Sequence, residues 1–263
     1  MTHFDSGRGE RRPLPAVVRF TPLQQDVVKL LALALMVLDH TNRALGLDSP
    51  TLLLLGRGAF PLFALVWGAN LARRPVRQAQ ATRLWGWALL AQPGYWLVMR
   101  HDGFTLYEPN ILFLFAVVTQ ALAMAHWPVR QASPNGWVGG ALLLALWAHD
   151  VATPGTYGVD GLLLLLASYG LCVTLPPTVS EAGWLRGLAI VSWPILTLRL
   201  NTGLGHSMML SGLLLPTLLI AGALAVVALC PLDTQRRLLT PGFFLQAYVA
   251  HLLALGLVAG WAG

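Results

Sequence analysis

The chain has 263 residues, of which 56% are hydrophobic and 11% charged, and its mean hydropathy is +0.64. One soluble core of this size uses far fewer apolar side chains, so the excess is expected to face lipid. The net charge of +6 argues for topology rather than nucleic acid, because the basic residues, all arginine except Lys29, sit mostly between apolar segments.

The first 26 residues are polar and carry Arg8, Arg11, Arg12 and Arg19 with no leading apolar stretch. No cleavable signal peptide is expected, and residues 1–26 read as a basic cytoplasmic tail ahead of a single transmembrane domain over 27–263. Apolar segments of roughly 18–22 residues then recur, close to the ~20 needed to cross hydrocarbon. They predict an all-α, polytopic transmembrane helical bundle of about nine spans, near 27–46, 51–72, 82–99, 110–127, 136–151, 159–176, 185–201, 206–230 and 242–262. One set of flanks and loops holds Arg8, Arg11, Arg12, Arg19, Lys29, Arg73, Arg74, Arg77, Arg83, Arg130, Arg186, Arg236 and Arg237, and the alternate set only Arg43, Arg100 and Arg199. That asymmetry places the N-terminus in the cytoplasm and, after nine spans, the C-terminus outside. Trp85, Trp127, Trp137, Trp184 and Trp261 fall near span ends, where indoles prefer the interface.

Ionised groups inside hydrocarbon are functional candidates because each costs several kcal/mol unless paired or hydrated. In the first span, Lys29 and His40 are eleven residues apart, so at about 100° per residue they share a face, roughly 16 Å apart along the axis. Asp39 adjoins His40. Arg57, in the second span, falls at the same depth on the outer side, and an Asp39–Arg57 ion pair beside His40 is expected. The plain alternative is that this pair only fixes the first hairpin. It leaves unexplained a third titratable group, His40, whose ordinary pKa of about 6.5 suits proton transfer.

Further along, Asn110 and Asp160 begin apolar spans and are candidates to point inward. They belong to an outer polar set with His101, Asp102, Glu108, His149, Asp150, Tyr157, Arg199, Asn201 and His206. Most of these also fit a solvated loop surface. The last span contributes His251, with Gln246 and Tyr248 nearby; a lone membrane histidine also serves simply to hydrogen-bond a neighbouring helix. Cys172 and Cys230 lie in predicted spans and read as small packing residues rather than a disulfide or a metal site. No GxxxxGK[ST], GxGxxG, HExxH or GxSxG motif occurs, which removes the common nucleotide, zinc-protease and serine-hydrolase readings.

At these residues the chain resembles the TraX family. The resemblance runs from Lys29 through Leu38-Asp39-His40 to Gly56-Arg57-Gly58-Ala59-Phe60-Pro61-Leu62-Phe63, then Asn110–Phe113, Tyr157–Gly161, and Tyr248 with His251-Leu252. Asp-His followed by Gly-Arg-x-x-Phe-Pro-x-Phe is its most specific part. The family's namesake acetylates a pilin N-terminus in conjugative systems. The Lys29-to-His40 spacing is also similar to that of the broader integral-membrane acyltransferases, with Lys where Arg is usual.

The resemblance implies a bacterial inner-membrane acetyltransferase that moves an acetyl group from acetyl-CoA to an amine or hydroxyl, on pilin or another envelope molecule. His40 is then the expected general base, with Asp39 and Arg57 orienting it or Arg57 steadying the oxyanion. Lys29, Asn110, Tyr157, Asp160 and His251 are the expected substrate-binding residues. No metal and no nucleic acid is expected; membrane lipids are. Arg73 and Arg74 serve either the donor's phosphates or topology. A proton-coupled transporter using Asp39, His40, Arg57 and His251, and a non-catalytic component of a conjugation or secretion apparatus, are the competing classes.

Overall fold

A computed structural model describes residues 15–125, 138–143, 145, 157–174, 182–201, 209–229 and 237–262, and every regular element among them is helical. Arg8, Arg11, Arg12, Trp127, Arg130, Trp137, most of the fifth span with His149 and Asp150, His206, Cys230 and Arg236 lie outside the described residues.

The first helix, α1 (Pro22–Ala44), starts five residues before its apolar run. Thr21 and Gln24 explain this: the threonine hydroxyl accepts from Gln24 N–H at 3.2 Å and the glutamine carbonyl accepts from Thr21 N–H at 2.9 Å. With Pro22 as the first helical residue, the polar turn is a ready-made start. The second apolar segment folds as α2 (Pro50–Gly56) and α3 (Ala59–Leu71), with the break at Arg57 and Gly58. Then come α4 (Gln78–Met99) and a 3₁₀ turn at Arg100–Asp102 that ends on Gly103 at φ 82°, a left-handed position suited to glycine. After α5 (Ile111–Ala125) and a helical stretch at 138–143 follow α6 (Gly158–Cys172), α7 (Ala182–Arg199), α8 (Met209–Leu229) and α9 (Phe243–Ala262).

Among the described residues, two stretches are long and apolar enough to cross a membrane: Pro50–Leu71, which is α2 with α3, and Phe243–Trp261. The first is largely wrapped by other helices, whereas much of the second is open.

Contacts fix the helix directions. Asp26, at the start of α1, meets the backbone of Leu238 and Leu239 just before α9, and His40 near its end meets His251, so α1 and α9 run parallel. Gly94 packs on Leu252, Gly256 on Leu97, and Arg100 donates to Ala259 O, so α4 is parallel to α9 as well. In the opposite direction, Gln25 of α1 reaches Asn70 at the end of α3, while Gly56, at the end of α2 just ahead of α3, touches Asp39. Phe60 stacks on Tyr157 and Gly68 abuts Ser168, which makes α3 and α6 parallel. The core between these elements is apolar and buried, including Leu62, Leu164, Leu165 and Leu252.

Candidate active site: a histidine pair beside a charged cavity

One end of the bundle holds a cavity of about 210 Å³, lined by the last turns of α1, the α2–α3 junction, the ends of α4 and α6, and α9. Asp39, His40 and Arg43 come from α1, Arg57 from the junction, Tyr95 from α4, Tyr157 from the start of α6 and Tyr248 from α9. The segment between α4 and α5 closes one side with Phe104 and Pro109.

His40 is 7% exposed, and its Nδ1 lies 2.7 Å from His251 Nε2 with the two rings nearly parallel. His251 Nδ1 is in turn 3.1 Å from Ala247 O. A carbonyl oxygen only accepts, so His251 carries its proton on Nδ1, and in the neutral ring its Nε2 is a bare acceptor. His40 must then donate from Nδ1. That assignment, made from the hydrogen-bond network, leaves His40 Nε2 as the free lone pair of a ring that lines the cavity. The pairing reaches across 211 residues of sequence.

Around the imidazole the charges alternate. Asp39 Oδ2 accepts from Arg43 Nε at 3.4 Å, and Arg43 Nη1 donates to Asp102 Oδ2 at 2.6 Å. Asp39 Oδ1, Arg57 Nε and Tyr248 Oη are each buried without a hydrogen-bond partner within the protein. The Asp39 carboxylate therefore pairs with Arg43, four residues on along the same helix, and no Asp39–Arg57 ion pair forms within 4.0 Å. Gly56 is why the junction comes so close: a Cβ there would collide with Asp39 Cβ.

The segment covering the cavity is pinned by one side chain. Gln92 Nε2 donates to the carbonyls of Leu106 (2.9 Å) and Glu108 (2.6 Å), while its Oε1 accepts from Asn110 N (3.0 Å) and Nδ2 (2.8 Å).

The structure brings Asp39, His40, Arg57 and Tyr157 to one cavity, and places His251 directly behind His40. Lys29 lies elsewhere: its Nζ is 3.0 Å from Asp26 Oδ1, near the opposite end of α1. Burial acts to raise the Asp26 carboxyl, and the Lys29 ammonium with the Leu239 and Leu238 N–H groups outweighs it, leaving Asp26 below its ordinary 3.8. Asn110 is fully buried and caps the start of α5, donating to Ala88 O and accepting from Leu112 N. Asp160 accepts from Arg199 at 3.1 Å, tying α6 to α7. Of the other outer candidates, Asn201 is buried and donates to Thr197 O, and His101 is exposed.

Sequence reasoning did not single out Arg43 or Tyr95. For Arg43 a signal existed, since Asp39 and Arg43 are four apart on one helix face. For Tyr95 there was none beyond an aromatic in an apolar segment.

The TraX family model, described as TraX protein, matches residues 24–259. The chain is similar to Protein TraX of Escherichia coli strain K12, with 37% identity over 250 residues covering 94% of this chain and 91% of that one. It is also similar to a second Escherichia coli Protein TraX, with 38% identity over 249 residues and the same coverage of both. No solved structure matches the chain.

Proposed function

The chain belongs to the TraX family, and on that premise we propose that it is an integral inner-membrane acetyltransferase that moves an acetyl group from acetyl-CoA to an amine or hydroxyl of an envelope acceptor. The observation that carries this reading is the His40–His251 pair, which leaves a bare Nε2 on a ring facing the charged cavity.

In this mechanism His40 Nε2 takes the proton of the acceptor N–H or O–H as its lone pair attacks the thioester carbonyl. The resulting imidazolium keeps its Nδ1–H on His251 Nε2, so the ring does not reorient as charge develops. Negative charge gathers on the former carbonyl oxygen, and the unpartnered N–H of Arg57 and hydroxyl of Tyr248 are donors suited to it. The C–S bond then breaks, and the departing thiolate recovers the proton from His40. A cavity of about 210 Å³ is smaller than the roughly 300–1,000 Å³ that encloses a drug-sized ligand. It takes the acetyl thioester and the head of the acceptor and leaves the nucleotide outside.

A multi-pass membrane location is supported by the recurring apolar segments, the arginine asymmetry of the loops and the two described stretches of spanning length. Acetyl transfer from labelled acetyl-CoA by the purified chain, beside His40→Ala, tests the chemistry. A loss of about 10²–10⁴-fold in a folded variant is expected, and wild-type turnover in that variant would remove His40 from the reaction. Mass spectrometry of the cell envelope, with and without the protein, identifies the acceptor as the molecule that loses an acetyl group.

A further inference from the structure

The parallel helices α1 and α9 meet through polar atoms at two heights. One meeting is the histidine pair. The other lies about 21 Å lower on α1, fourteen residues earlier at 1.5 Å each, where Asp26 is 1% exposed. Its Oδ2 accepts from the backbone N–H of Leu238 at 3.0 Å and of Leu239 at 3.1 Å, separated from the start of α9 by the turn at 240–242. Its Oδ1 takes the Lys29 ammonium.

We infer that Asp26 is a positioning residue for the His40–His251 pair: by gripping two peptide N–H groups at the foot of α9, it fixes the axial register of α9 on α1. This inference rests on the reading of His40 as the base. Three physical points carry it. The face of α1 between the two meetings is apolar, with Leu33 and Val37 half-buried on it. Apolar packing is non-directional and resists sliding weakly. The Nδ1···Nε2 bond, by contrast, is directional, and an axial slip of α9 lengthens and misaligns it. Finally, a carboxylate this buried is costly unless fully paired, and Asp26 meets three donors, two of them on the segment that launches α9.

The test uses the full chain in detergent with ¹⁵N-labelled histidine. In the wild type, both imidazoles are expected to carry their proton on Nδ1. In Asp26→Ala, that single pattern gives way to exchange between tautomers, and kcat for acetyl transfer falls about 10²-fold with KM for acetyl-CoA unchanged. In a His251→Ala background, where the contact is already gone, Asp26→Ala lowers kcat by less than about 2-fold. Asp26→Glu keeps the charge but moves the carboxylate one bond further, and is expected to lose kcat and the tautomer pattern in a chain that melts like wild type. It decides the matter if Asp26→Ala does not fold. Unchanged imidazole signals in the variants, or a full further loss of kcat in the His251→Ala background, overturns the inference. A wild type that transfers no acetyl group sinks the proposed activity alone, and the imidazole spectra still decide whether Asp26 sets the register.

Discussion

Gly56→Ala is a one-carbon change with a calculable consequence. The added Cβ collides with Asp39 Cβ and falls 3.0 Å from its Cγ and 3.1 Å from its Oδ1. Carbon atoms rest comfortably at about 3.5–4.0 Å, so the Cγ contact must open by about 0.5 Å and the Cβ contact by more. Rotating the Asp39 side chain cannot relieve it, because Cβ is fixed to the α1 backbone. Either α1 or the α2–α3 junction must yield, at about 1–3 kcal/mol. Both carry residues of the cavity, and a misplacement of about 1 Å can cost 10²-fold in rate. Thermal melting in detergent and acetyl transfer are therefore both expected to drop. Gly86→Ala is the matched control, since a Cβ there meets nothing within 4 Å, and it should preserve both. If Gly56→Ala melts and turns over like wild type, the close approach of α1 to the junction does not hold the site.

Other outcomes follow from single contacts. Gln92→Ala removes the donor and acceptor holding residues 106–110, so hydrogen exchange there should accelerate while that of α4 is retained. Asp102→Ala breaks the ion pair with Arg43; both partners are partly exposed, and the expected stability loss is only about 0–1 kcal/mol. Because the Asp26 carboxyl is depressed in the folded chain, its contribution to stability is present above its ordinary 3.8 and disappears as pH falls through the lower folded value. An Asp26→Asn chain should show a shallower acid limb in denaturation than wild type.

Hydropathy located the helices because apolar length is a local property, and where the residues are described, helices occupy the expected segments. Their ends differ for local reasons too. At Thr21 and Gln24 a capping box starts α1 inside polar sequence, and at Arg57 and Gly58 one apolar segment becomes two helices. The site was legible in part. Asp39 and His40 are adjacent, and short-range geometry put Arg57 at their depth, but it chose the wrong cation for Asp39: Arg43 sits one helical turn away and wins by proximity. The sequence put His40 and His251 in one candidate set, but their direct contact was not legible. Nothing within reach of His40 in the sequence names His251, since only the packing of the first helix against the last joins them. For Lys29, helix phase gave its face and its distance from His40, while its contact is Asp26, three residues away.

That the first and last helices form the histidine pair also sets an order of events during synthesis. At about 5–20 residues per second, the 211 residues between His40 and His251 take on the order of 10–40 s to emerge. Throughout that interval His40 stands without its partner, beside an Asp39 whose own partner, Arg43, lies one helical turn away. The hydrogen bond that selects its tautomer forms only when the final helix docks. A ribosome that stops short of α9 therefore releases a chain whose helices can pack but whose imidazole is uncommitted, so completion of the polypeptide itself is the step that selects the tautomer of His40.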